Sequence, residues 1–317
     1  MNLMDEAVIL EIFGIRVYAF GLYTALGAIA ALITLCVMSR VFRMKQGTAP
    51  VTFLLSATCG MVLSRLCFCL LDQELGMMVP LHAWICVNGG GWSMFGLIGG
   101  AFLGGWLSSL IMREKTGRIL DAISLSILPF VIAERIGENR IEDFDISRAL
   151  DNETLRTSFL ATGEDQPVLA TYYVAAAVAL ILFVVLMILA SGAKKEGNLT
   201  VTFLLLFGAS AIITESLRYD FFLSISFVGL QQVAAALTLA LGVILAVRCS
   251  NRPKSALALA ALISLPLMTG AVIGLEFALD RTSFNKILIY IAMVITVAVP
   301  AGLGMVLLNT GKGNERV

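Results

Sequence analysis

Residues 118–145 read RILDAISLSILPFVIAERIGENRIEDFD. A mostly apolar run from Leu120 to Ile136, interrupted by Pro129, ends on Glu134 and Arg135; past Gly137 charges crowd together. Arg65 apart, the other long apolar runs largely keep charge out of their middles. A charged side chain in hydrocarbon costs about 2.5–3.5 kcal/mol on insertion scales, so it normally faces a partner, a cavity or a substrate. A charged pair at a helix end has a blander explanation as well: its heads snorkel to the interface and satisfy the last carbonyls.

The run lies in a chain that belongs in a bilayer. Of 317 residues, 59% are hydrophobic and 14% charged, with a mean hydropathy of +0.92. A soluble domain carries about 25% charged residues. The 22 basic and 22 acidic side chains cancel, so bulk charge points to no nucleic-acid partner. Six scattered cysteines and the lone His82 fit no zinc-site spacing, which leaves the cysteines as small buried hydrophobes and the metal expectation at none. The N-terminal segment, with Asp5, Glu6 and Glu11, has no pattern of a cleavable signal peptide.

A span needs about 20 mostly apolar residues. Nine are expected, at 18–39, 51–71, 95–112, 120–136, 169–191, 199–217, 226–247, 256–276 and 284–308, the third and fourth short or broken by Gly and Pro. The fold class is therefore an all-α polytopic membrane protein. Lysine and arginine counts orient it. With the N-terminus outside, every inner loop is basic: Arg40, Arg43, Lys45; Arg113, Lys115, Arg118; Lys194, Lys195; Arg248, Arg252, Lys254; Lys312, Arg316. The outer segment 72–94 has Asp72 and Glu74 with no Lys or Arg, and 137–168 sets Arg140, Arg148 and Arg156 against eight acidic residues. The expected arrangement is N-out and C-in, with a charged outer-face segment.

On that topology three helices bring arginine to the outer half of the membrane. Arg65 lies six residues before the end of span 2, about 9 Å deep at 1.5 Å per residue. Arg135 ends span 4 beside Glu134, and Glu215 and Arg218 end span 6 on one helical face. Snorkelling accounts for each pair singly and for Arg65 less well; an outward-facing anion site accounts for all three. The segment NGGGWSMFGLIGGAFLGG (88–105) fits either a packing or a cavity-lining role. Gly96, Gly100 and Gly104 recur every fourth residue, as in close helix pairs, and the glycines before them suit a segment lining a cavity.

Together these features resemble the prolipoprotein diacylglyceryl transferase family of bacterial inner-membrane enzymes. The central stretch shares Leu120, Asp121, Pro129, Arg135, Ile136 and Gly137 with it; the family's HGGLIGG reads Met94-Phe95-Gly96-Leu97-Ile98-Gly99-Gly100, and its GRLGY reads Ser64-Arg65-Leu66-Cys67-Phe68. The early WYGL is Ala19-Phe20-Gly21-Leu22, and the late R-x-x-x-E-x-x-R helix keeps Glu215 and Arg218 but has Ala211 first. Other departures are Met94 at the family's histidine, Glu138 followed by Asn139 at its asparagine, and HPTQLYE reduced to Gln166-Pro167 before Val168-Leu169-Ala170-Thr171-Tyr172. The resemblance covers residues 15–250, so the domain expectation is a seven-helix transferase-like domain over 1–250 and two additional helices over 251–317.

The resemblance implies transfer of diacylglycerol from phosphatidylglycerol to the cysteine thiol of an exported lipoprotein precursor, releasing glycerol phosphate, with no cofactor. Such chemistry needs a base for the thiol and cations for the phosphate. The expected phospholipid-binding set is Arg65, Arg135, Asn139, Glu215, Arg218, Gly96, Gly99 and Gly100; the expected catalytic set is Arg135 with the carboxylates Glu134, Glu138 and Glu142. A catalytically silent phospholipid-binding or assembly-partner protein is the alternative from another class. A small-solute transporter is disfavoured, because no inverted repeat of broken spans is evident. The site is expected to face the extracytoplasmic side of the cell membrane.

Overall fold

The computed structural model describes residues 8–12, 15–71, 91–140, 158, 160–162, 168–191, 195–218, 224–225, 228–250, 253–282 and 284–310. Among them are nine long helices: α1 (Ala19–Val41), α2 (Thr48–Leu71), α3 (Met94–Met112), α4 (Thr116–Gly137), α5 (Thr171–Ala190), α6 (Asn198–Leu217), α7 (Leu230–Cys249), α8 (Ala256–Arg281) and α9 (Lys286–Thr310). Eight are long and apolar enough on their own to cross a membrane. The ninth, α4, carries Asp121, two serines and the Glu134–Arg135 pair, and it packs against α1, α3 and α5. Enclosed by protein, it does not need the all-round apolarity that lipid demands. α4 runs continuously through Pro129, which removes one backbone hydrogen bond without ending the helix.

Among the described residues are three short antiparallel strand pairs that the sequence does not announce: β1 (Val8–Ile12) with β2 (Ile15–Tyr18), β3 (Ala161–Thr162) with β4 (Val168–Leu169), and β5 (Ser224–Ile225) with β6 (Val228–Gly229). They lead into α1, α5 and α7 respectively, in segments too short or too irregular for a strand period to stand out.

The chain divides into two compact units, Met1–Gly197 and Asn198–Val317. In the first, α2 and α3 approach most closely, and glycine makes this possible. A Cβ on Gly96 would lie 2.7 Å from the Leu63 carbonyl, and Gly100 and Gly104 sit directly on the backbone at Cys59 and Leu55. Gly99, on another face, meets nothing within 4 Å. The α1–α4 pair closes in the same way at Gly27 and Gly137. In the second unit α6 and α7 meet at Gly208 and Gly242, and α8 and α9 pack on this pair. The two helices beyond residue 250 thus share a compact body with α6 and α7. The cysteines only partly follow expectation: Cys69 is buried, Cys36, Cys59 and Cys67 are half-buried, and Cys249 is exposed, while Cys86 lies outside the described residues.

Candidate phospholipid site

The end of α4 carries a buried charge cluster. α4 continues past Gly137 as a 3-10 turn, Glu138–Arg140, so Glu134, Arg135 and Glu138 stay on neighbouring faces. Arg135 Nη1 donates to Glu138 Oε1 at 2.7 Å, and Arg135 Nε lies 3.6 Å from Glu134 Oε2. The side chains of Arg135 and Glu138 are only 7% and 6% exposed, and that of Glu134 is 17%. This arrangement decides against snorkelling for Arg135: its guanidinium is folded into the protein and held by a carboxylate one turn on. Two acidic side chains and one basic one also leave the trio net negative when all are ionised.

Two further contacts shape the same region. The Tyr172 hydroxyl, at the start of α5, donates to Asn139 Oδ1 at 2.8 Å and ties the turn after α4 to the next helix. Gly137 is pressed against α1, where an added Cβ would meet Tyr23 at 2.9 Å. Tyr172 was not among the expected site residues. Its only signal was its place at the end of the reduced HPTQLYE pattern.

Arg65 is set by α2 and the residues before α3. Arg65 Nη1 donates to the Gly91 carbonyl at 2.8 Å, and its guanidinium lies 5.8 Å from the Phe68 ring centroid, within cation–π range. Gly91 has φ +80°, and a Cβ there would overlap the Phe68 ring, so glycine is needed for both reasons. Alongside, Ser64 Oγ donates to the Ser93 carbonyl at 2.8 Å, and Ser93 N–H donates back to Ser64 at 3.3 Å. Ser93 also caps α3 through Gly96 N–H, leaving Met94 buried in the first turn.

In the second unit, Glu215 lies in the last turn of α6 and Arg218 follows immediately after the helix, both half-buried, with Arg218 N–H donating to the Glu215 carbonyl at 3.2 Å. Arg65 and Arg135 thus belong to the first unit and Arg218 to the second. Of the remaining expected residues, Gly96 and Gly100 have a packing role against α2, Gly99 faces open space, and Glu142 lies outside the described residues.

The opposite end of the first unit is built from exposed charge. Lys45 Nζ donates to the Met112 and Arg113 carbonyls at 3.0 and 2.8 Å, capping α3, while its N–H donates to Glu114. Glu196 accepts from Arg118 Nε at 2.7 Å and Lys115 Nζ at 3.1 Å. Its slight burial works to raise the carboxyl pKa, but these two hydrogen bonds and their charges outweigh it and hold the group below the usual carboxylate range. Asp121, part of the shared motif, accepts from Gly197 N–H at 2.7 Å and fixes the loop before α6.

No curated relative matches the chain. The sequence model of prolipoprotein diacylglyceryl transferase matches residues 7–248, from the first strand pair to the last turn of α7 and well over half of the chain. With its multi-pass helical fold, this protein belongs to the prolipoprotein diacylglyceryl transferase family.

Proposed function

We propose that this chain binds phosphatidylglycerol at its extracytoplasmic end and transfers the diacylglyceryl group slowly to the cysteine thiol of an exported lipoprotein precursor. The observation that carries the reading is the buried Arg135–Glu138 pair. A guanidinium fork donates to phosphodiester oxygens as it does to carboxylate oxygens, so the headgroup can take Glu138's place on Arg135. Arg65 is the further cation of that site in the first unit, with Asn139 as its polar neighbour; Arg218, with Glu215 beside it in the sequence, is the phospholipid-binding cation of the second unit. Glu138, released from Arg135, is then the nearest carboxylate to receive the thiol proton, with Glu134 and Glu142 as reserves.

The thiolate attacks the glyceryl carbon bonded to the phosphate oxygen. A C–S bond forms as that C–O bond breaks, and glycerol phosphate leaves with the electron pair. The proton held by Glu138 passes to solvent or to the departing phosphate. A free thiol has a pKa near 8.5, so only a few per cent is thiolate at pH 7. Met94, at the position of the family histidine, has no proton to give or take, and losing a general base typically costs about 10²–10⁴-fold in rate.

The test is mass spectrometry of a lipoprotein-signal peptide incubated with the purified protein and phosphatidylglycerol. Little or no product is expected at pH 7, with transfer emerging as the pH rises toward the thiol's own pKa. Robust transfer at pH 7 would defeat the silent reading and require a base in place of the family histidine, and Glu134 and Glu138 would be substituted first to find it. Absence of transfer at every pH, with lipid still bound, would favour the second reading, a silent phospholipid-binding or assembly-partner protein, for which the apolar Met94 is the specific argument. The orientation carries its own test: a reporter active only in the cytoplasm should work in the 113–119 loop and after residue 317, and fail within 137–168.

A further inference from the structure

Helices α8 and α9 lie beyond the part of the chain that matches the family, and α8 buries a carboxylate. Glu276 is 3% exposed and sits five residues before the end of its helix. Gln232 on α7, equally buried, uses its side-chain amide to bridge: Nε2 donates to Glu276 Oε1 at 2.7 Å and to the Ile212 carbonyl of α6 at 3.3 Å. The amide nitrogen has two protons and meets two acceptors, so the bridge uses its full donor capacity. Ile212 is one turn before Glu215.

A second tie comes from α9. The Tyr290 hydroxyl donates to the Ser216 carbonyl at 3.3 Å. Ser216 is in the last turn of α6, where carbonyls have no partner within the helix. The last turn of α6 is therefore tied directly to α9, and the turn before it is tied through Gln232 to α8, by side chains costly to bury unless they are bonded.

We propose that Glu276 is a positioning residue for the last turn of α6, acting through Gln232 to set where Arg218 presents its guanidinium. The importance of Arg218 for lipid rests on the function proposed above; the bracing does not. In this account the additional helices form an outer brace that lets a divergent transferase keep its late arginine in place.

The experiment uses the full-length protein in phosphatidylglycerol-containing nanodiscs, with Glu276→Ala, Glu276→Gln and Tyr290→Phe. Glutamine keeps an oxygen that accepts from Gln232, whereas alanine leaves the bridge without its acceptor. Amide hydrogen exchange over residues 213–218 should quicken at least several-fold in Glu276→Ala, less in Tyr290→Phe, and stay near wild type in Glu276→Gln. Phosphatidylglycerol affinity should fall about 3–10-fold in Glu276→Ala, recover in Glu276→Gln, and fall no further when Glu276→Ala is added to Arg218→Ala. Unchanged exchange in Glu276→Ala would overturn the brace. So would an equal loss of affinity on adding Glu276→Ala to Arg218→Ala, because the effect would then bypass the arginine. Quickened exchange with lipid affinity untouched by Arg218→Ala would support the brace and count against the headgroup role of Arg218.

Discussion

At one end of the first unit Glu196 meets Lys115 and Arg118 with side chains 34%, 67% and 32% exposed; at the other, Arg135 and Glu138 meet at the same 2.7 Å distance that separates Arg118 from Glu196, but almost wholly buried. Surrounding dielectric makes these different objects. An exposed pair is worth about 0–1 kcal/mol, since water and salt screen it. A buried pair has been stripped of water at a cost its mutual attraction need not recover, so stability is a poor reason for its presence. The exposed end uses charge to stitch loops together: Lys45 caps α3, Glu196 gathers two cations, and Asp121 holds Gly197. The buried end keeps charge where the fold alone would favour apolar side chains, which is the reason for assigning it chemistry.

The sharpest way to break this contrast is Arg135→Ala. It strands Glu138 and Glu134 in the protein interior, and removing one partner of a buried pair costs about 3–5 kcal/mol. Thermal unfolding in detergent should register a large drop, and adding Glu138→Gln should recover part of it by removing the uncompensated charge. Arg135→Lys separates charge from geometry: it should restore more stability than lipid binding, since lysine lacks the fork. Equal recovery of both would mean that net charge alone matters.

Gly91→Ala comes next in size. Its positive φ and overlap with Phe68 predict a cost of about 1–3 kcal/mol, together with a disturbed Arg65 contact. Gly99→Ala, at a glycine facing open space, should stay within about 0.5 kcal/mol of wild type. Comparable losses in the two variants would contradict the close contact of Gly91 with Phe68 and the open space at Gly99. Tyr172→Phe should cost about 0.5–1.5 kcal/mol through its bond to Asn139, measured by denaturant unfolding.

Glu196→Gln, at the exposed end, should change stability by no more than about 0.2–1 kcal/mol, and less at high salt. The pH dependence has a definite sign. Because the folded carboxyl titrates below its unfolded value, its contribution is present above the unfolded pKa and fades as the pH falls through the lower folded one. The variant should therefore differ from wild type at neutral pH and converge with it in acid.

Much of this could be read from sequence because its signals are local. Apolar runs of about 20 residues place the nine long helices among the described residues to within a few residues, and the charge pair at the end of the fourth run marks where Glu134 and Arg135 lie. Non-local pairing was out of reach. Tyr172 finds Asn139 across 33 residues, Gln232 finds Glu276 across 44, and Arg65 ends on a backbone carbonyl of a glycine loop. Glu276 stands at the end of the apolar run 256–276, where an acid is unremarkable, whereas the helix runs on to Arg281 and takes the acid inside. Gly96 and Gly100 showed a spacing that suits packing or a cavity equally well, and only the α2 backbone beside them distinguishes a packing role.

Arg135 and Arg218, one in each unit, are each proposed to bind an anionic phospholipid headgroup, and the direct measurement is the phosphatidylglycerol that remains bound to purified protein, counted by mass spectrometry of the extracted lipid. Wild type and Glu196→Gln should retain it equally, Arg135→Lys should lose most of it, and the Arg135→Ala, Arg218→Ala double variant should lose it altogether. Undiminished phosphatidylglycerol on a folded double variant would contradict the account.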